Sequence, residues 1–469
     1  MDRRGFLIGG AAVGSLASLG AGAARAAADD LKAAARESWV YGLPIMEMAR
    51  LRAAAIGDQP GPDTPGYNSF YHSRERASPS DRVMSAPEAD LLYSSAWIDL
   101  SADGARIDLP ATGGRYVCFT LFDMYGNAIQ TVEGKEIGQQ GRSLDLLGPA
   151  ARVGAYGYSA PVPRMPHMGP SIRAPGKWVW ALARIHIERD TDLTAVHALQ
   201  DGFAVRAKPK VGRPAPAAPV DAAWSDYFFA LQRLIVENPP PADEADFFAR
   251  VAPLQLGVAG GFERARFADE DLPALAAGVE EARRLVAPKR DPGAIGGWTW
   301  PKADIGDYGQ DFLYRAQTVL AQPGSPPASA IWSLRAAAPD GALTLAGERH
   351  WRVTLPSPPP AAGFWSLTLY QATPEGRLFL AENPIRRHAV GAWTPGLQRE
   401  GDGSIEVWIG RGDPGGRHTA NWLPAPASGS FALILRGYGP EFALTERRYK
   451  PSAVEPLGAE PHAQALTTR

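Results

Sequence analysis

Residues 116–122 (YVCFTLF) constrain this chain more than any other stretch. In an extended strand, successive side chains alternate between two faces. Tyr116, Cys118, Thr120 and Phe122 share one face, and Val117, Phe119 and Leu121 the other. Both faces are largely apolar, as expected of a strand covered on each side in the interior of a sandwich. A second run of this kind is KWVWALARIHI at 177–187, and shorter ones fall at 342–345, 351–355, 364–370, 405–409 and 431–435. The 50 glycines and 43 prolines are spread between these runs. They read as turns of a β-rich fold, not as disorder.

At 469 residues the chain is too long for one ordinary core. Helical spacing of Leu31, Ala35 and Trp39 predicts a helix over 31–41, stopped by Gly42 and Pro44, in a region where helix is expected over about 31–56. KPKVGRPAPAAPV at 208–220 reads as a Pro-rich linker. Trp224, Phe228, Leu231 and Ile235 mark one amphipathic helix, and Leu272, Leu275, Val279, Ala282 and Val286 another. The expected order is a leader (1–26), an N-terminal helix and sandwich (27–207), the linker (208–220), a helical segment (221–295), a second β domain (296–455) and a polar tail (456–469).

The leader carries Arg3-Arg4 before Phe6-Leu7, then an uncharged Gly- and Ala-rich run from Gly5 to Ala24. Ala24-Arg25-Ala26 offers a small-x-small cleavage site. This pattern predicts a twin-arginine signal, folded export to the periplasm and the export machinery as a partner. The run is too poor in large apolar residues for a stable membrane anchor, and no later segment suits a span.

With a net charge of -2, nothing favours a polyanion, and nucleic acid is not an expected partner. The single cysteine, Cys118, excludes an internal disulfide and Cys-rich zinc motifs, and reads as a buried small hydrophobe. The eight histidines show no pair at ligand spacing, so neither a metal nor a cofactor is expected. There is no phosphate-binding Gly-rich loop and no nucleophile elbow.

Several strings occur together in one order: PEADLLYS at 87–94 with WIDL at 97–100, Arg115-Tyr116 with DMYGN at 123–127, FWSLTLY at 364–370, NWLPAP at 421–426 and RGY at 436–438. They resemble the paired bacterial domains of unknown function numbered 1254 (N-terminal) and 1214 (C-terminal). The resemblance implies a mainly β chain: an N-terminal immunoglobulin-like β-sandwich, a helical insertion and a C-terminal jelly roll. The family's first motif usually has Asn where this chain has Glu88 and Thr where it has Leu91, while Asp90 and Tyr93 match.

Asp90 and Asp123 are the candidate catalytic carboxylates, since acid/base chemistry on a polar substrate needs such groups. Tyr93, Tyr125, Asn127, Thr368, Tyr370 and Asn421 are the candidate substrate-binding residues. Asp90, Tyr93, Asp123 and Asn127 are expected to share one pocket, because neighbouring segments usually pack together. The competing readings are structural. Asp123 and Asn127 can form a turn, and Asn421 can fix a loop. Ser366, Thr368 and Tyr370 can form a hydrated outer face opposite Trp365, Leu367 and Leu369. Two functions compete: a periplasmic hydrolase or lyase acting on a polar organic or glycan substrate, and a non-catalytic ligand-binding or envelope protein. A small molecule or glycan is the expected ligand in both.

Overall fold

The computed structural model describes residues 11–102, 104–149, 171–208, 212–257 and 261–458. The paired arginines of the leader lie outside these residues, as does most of the polar tail. Helices and strands each take 27% of the chain, and the strands form four largely antiparallel sheets.

In the N-terminal lobe a five-stranded sheet runs in the order Tyr71–His72, Leu91–Asp99, Trp178–His186, Val117–Phe122, Ala128–Glu133. It packs on a four-stranded sheet of Ile172–Arg173, Arg142–Leu147, Gly104–Leu109 and Ala204–Ala207. Leu92, Ala96, Ile98, Val117, Phe119 and Leu121 meet Ile107, Leu144 and Leu146 between the sheets. The C-terminal lobe pairs a seven-stranded sheet, centred on Ala361–Ala372 and Ser430–Pro440, with a four-stranded one centred on His350–Leu355 and Ile405–Gly410. Trp365, Leu367, Leu369, Leu433 and Leu435 fill its interior with Trp351, Val353 and Leu355.

Both amphipathic patterns of the middle segment fold as written, into helices Trp224–Glu237 and Leu272–Val286. The N-terminal helix departs from expectation. It spans Ala11–Ile56 and passes Gly42 and Pro44 without stopping. Leu43, Ile45, Met46 and Met48 are buried beyond the expected stop, and this packing outweighs the local cost of Pro44. Gly42 is itself a contact, since a Cβ there would lie 2.6 Å from Leu231 Cδ2. Gly278 likewise lets the helix Leu272–Val286 approach closely, for a Cβ there would meet the Lys32 carbonyl oxygen at 2.2 Å.

Phe312–Ala321 is a helix where only strands were expected, and the Asp311 side chain caps it by accepting from Tyr314 N. The described part of the Pro-rich stretch does not hang free. Ala215 is buried, its carbonyl accepts from Arg52 at 2.7 Å, and its N–H donates to Glu237.

The five-stranded sheet positions everything that follows. Its face turned from the sandwich is divided. Trp97, Phe122, Trp178 and Trp180 pack under the helices. Leu91 and Cys118 pack instead on Ile331, Phe364 and Tyr438 of the C-terminal lobe.

Candidate functional site

The four residues expected in one pocket lie at two ends of one sheet. Leu91 pairs with His186 and Phe122 pairs with Trp180, on the same central strand. Asp90 continues beyond the first pair and Asp123 beyond the second, so more than about 20 Å of strand separates them. The sequence adjacency argument failed because the first motif precedes the strand Leu91–Asp99 while the second follows the strand Val117–Phe122, and these two strands run the same way on either side of Trp178–His186.

At the far end, Asp123 shapes a turn. Its Oδ1 accepts from the backbone N–H of Tyr125 (2.8 Å) and Asn127 (2.9 Å), and its Oδ2 accepts from Asn127 Nδ2 (2.9 Å). Tyr125 donates its hydroxyl to the Asn238 carbonyl and lies in the helical core. Beside it, Arg315 and Glu244 form a fully buried ion pair (2.7 Å), and Tyr41 donates to the other Glu244 oxygen. Asn421 is held entirely by backbone: its Nδ2 donates to the carbonyls of Gln398 and Glu406, and its Oδ1 accepts from Gln398 N.

At the near end, a sealed polar layer joins the lobes. Glu88 Oε1 accepts from Arg184 Nε at 3.1 Å, and Oε2 accepts from the Tyr93 hydroxyl. Across the seam, Arg436 Nη1 donates to Tyr370 OH (2.7 Å), which donates to the Pro87 carbonyl (3.0 Å). Ser366, Thr368 and Tyr370 thus form a buried face, not a hydrated one. Asp90 is half-buried here, with its Oδ2 shielded from solvent and unpartnered, and desolvation of the carboxyl pushes its pKa up. Cys118 sits in the same layer, and burial raises its thiol pKa to about 11, so at neutral pH it is a protonated thiol and a poor nucleophile.

The large opening between the lobes is a groove of about 1100 Å³. That is the scale of a small-ligand site. None of the eight residues expected from the sequence lines it. Its wall is built from the ends of the five-stranded sheet: Arg115 and Tyr116 entering the strand Val117–Phe122, His186 ending Trp178–His186, and Glu133 ending Ala128–Glu133. Trp393 and Gly363 close it from the C-terminal lobe. Gly363 is required, because a Cβ there would sit 2.7 Å from the Tyr116 ring.

His186 stacks on Phe364 at 4.0 Å (23° between planes), and the indole of Trp393 lies 5.8 Å away. Burial, with Arg115 and Arg76 nearby, lowers the His186 pKa to about 4, so the ring is neutral near pH 7. Its Nε2 is buried without a hydrogen-bond partner. Arg115, whose side chain cannot reach Asp123, has a different partner. It grips Asp192 through two bonds (2.5 and 2.7 Å) and donates to the His186 carbonyl (2.8 Å). This bidentate contact holds the Asp192 carboxyl below its ordinary pKa. On the opposite rim, Lys135 pairs with Glu133 at 2.7 Å.

The sequence offered one signal for this wall. Arg184 and His186 share a face with Trp180 and Leu182 in a strand that is otherwise apolar. Charged or titratable groups on a buried strand face need partners; Arg184 finds the carboxylate of Glu88 in its own lobe, and His186 stacks on Phe364 of the other. Elsewhere, ligand atoms of Glu400, Glu406 and His418 lie within 4.8 Å of one another. Glu400 is already paired with Arg417 and Glu406 with Arg352, which satisfies the group without a cation.

Two sandwich lobes, a helical layer and an interlobe groove define a two-lobed β protein. The chain belongs to the family that pairs two named domains. Residues 67–207 match the model described as protein of unknown function DUF1254, and residues 338–442 match DUF1214. The crystal structure of the VPA0106 protein from Vibrio parahaemolyticus shares the fold, with a TM-score of 0.62 at 18% identity over 91% of this chain and 100% of that one. A protein from Burkholderia cenocepacia aligns over 94% of this chain and 98% of its own at 16% identity, with a TM-score of 0.43. No curated protein matches the sequence.

Proposed function

We propose that this chain is exported to the periplasm and there binds a neutral, ring-containing polar ligand, a glycan fragment, in the groove between its lobes. The observation that carries this reading is Trp393. Its indole is 43% exposed beside the His186 ring, whereas Trp39, Trp97, Trp178, Trp298 and Trp332 are sealed in cores. A partly exposed indole offers a flat apolar face for the C–H side of a sugar ring. The charged residues lining the groove balance: Arg115 and Lys135 against Glu133 and Glu188, with a neutral His186. That balance favours an uncharged ligand over an anion or cation.

The test is calorimetric titration of the full chain with neutral, anionic and cationic oligosaccharides. Saturable binding of a neutral member, lost in Trp393→Ala, supports the reading. Absence of binding by any neutral member overturns it. The hydrolase or lyase reading rests on carboxylates facing the ligand, and in this groove those are Glu133 and Glu188 rather than Asp90 or Asp123. Product release in the same titrations, abolished by Glu133→Gln or Glu188→Gln, would favour that reading.

The paired sheets of each lobe support the immunoglobulin-like and jelly-roll assignments that the family implies. Export is supported by Arg3-Arg4 and by where packing begins. Among the residues of the long helix whose burial is described, the first buried one is Ala34, so cleavage after Ala26 removes nothing from the described core. Among the described residues no helix is long and apolar enough to cross a membrane.

A further inference from the structure

The polar layer between the lobes lines a small, partly open cavity of about 20 Å³, distinct from the large groove. It holds about one water-sized occupant and no organic substrate. Its polar lining comes from both lobes and from the loop after the helix Phe312–Ala321: Glu88, Arg184, Gln322, Ser325, Ser333 and Arg436.

The donors and acceptors around it are unequal. Both oxygens of Glu88 are engaged, by Arg184 Nε and by the Tyr93 hydroxyl. Arg184 is buried, and its Nη2 donates to the Gly324 carbonyl at 2.7 Å. Its Nη1 is buried and has no partner. Arg436 is buried as well, and its bonds go to neutral acceptors: Tyr370 OH, the Gln322 side-chain oxygen (3.1 Å) and the Ala86 carbonyl (3.4 Å). Two guanidinium groups therefore face a cavity whose single carboxylate is already occupied.

We infer that this cavity binds one small monovalent anion of the halide class, coordinated by Arg184 and neutralising the second guanidinium, Arg436. A buried cation needs a counter-charge, and a water in the same place would supply none. Asp90 is the other carboxyl of the layer, but it does not line the cavity. Burial favours its neutral form, so it is a poor counter-ion. The bound anion acts as a fastener, because its ligands come from elements that meet only when the two lobes are docked.

The test uses the full chain in sodium chloride, sodium bromide and sodium gluconate at equal ionic strength. Gluconate is too large for the cavity. Halide binding to the folded state alone raises the melting temperature in a saturable way, by on the order of 2 °C or more relative to gluconate. Ser333→Val, which fills part of the cavity while keeping its backbone pairing, abolishes that difference. A crystal soaked in bromide gives an anomalous peak at the Arg184–Arg436 seam. Equal melting temperatures in all three salts, or bromide peaks on the surface with only water density at the seam, would overturn the inference.

Discussion

Glu88 and Arg184 form an ion pair sealed within the protein, with Nε 3.1 Å from Oε1 and both side chains almost wholly removed from solvent. Glu88 supplies the counter-charge of Arg184. Two arginines, Arg184 and Arg436, both lower the Glu88 pKa, and Arg184 is the larger influence. Glu88→Gln removes the one engaged carboxylate and leaves a buried guanidinium uncompensated. The expected loss is about 3–5 kcal/mol of unfolding free energy, read from urea melts. A loss under about 1 kcal/mol, the size of an exposed pair, would show that solvent reaches the layer.

The two aspartates nominated for catalysis should respond oppositely to substitution. Asp123→Ala strands the Tyr125 and Asn127 amides and should cost about 2–4 kcal/mol. Asp90 has an unpartnered oxygen, and its folded pKa lies above the unfolded value. Its ionisation therefore costs more in the folded state, and the penalty grows as pH rises past the ordinary carboxylate range. Asp90→Asn should leave stability at pH 7 unchanged or raised. A large loss at pH 7 in Asp90→Asn would mean that the ionised carboxylate is held by a partner.

His186 predicts the opposite slope. Its folded pKa of about 4 lies below the ordinary histidine value of 6.5, so the unfolded chain takes up the proton first as pH falls. Stability from this group is full above about pH 6.5 and is lost between there and about pH 4. The loss is on the order of 3 kcal/mol. The difference between wild type and His186→Phe across pH 7 to 4 measures it. A wild-type curve parallel to the variant's would show that His186 titrates normally.

Trp393→Ala separates ligand from fold. The side chain is partly exposed on a loop, so truncation should shift stability by no more than about 1 kcal/mol. Binding of a neutral glycan should weaken by tenfold or more, on the scale of an aromatic contact. Unchanged affinity in fluorescence titration would move the ligand off this indole.

Replacing Arg3 and Arg4 together by lysine should leave the chain in the cytoplasm with its leader attached. Fractionation followed by mass measurement of the N-terminus checks both. Periplasmic accumulation of the double variant at the wild-type level would exclude the twin-arginine route.

The sequence by itself determined the local elements. Alternation on both faces of 117–122 and 178–186 made interior strands, and the 3.6-residue spacing of Phe228, Leu231 and Ile235 made a helix. Ordered motifs placed the family. These properties follow from neighbours within a few residues, so they are written in the chain. Asp311 could also have announced the helix it caps. The continuation through Pro44 could not be read locally, because it depends on Leu231 and other partners far along the chain. Only the tertiary structure decided what the polar residues do. Asp90 and Asp123 look equivalent as motif carboxylates, yet strand register sends them to opposite ends of one sheet. Thr368 and Tyr370 alternate like an outer face, yet a second lobe covers them. His186 and Trp393 lie more than 200 residues apart, and their rings meet at 5.8 Å only because the two lobes dock. Which polar group is satisfied, sealed or left facing a groove is a property of that docking, and no local pattern encodes it.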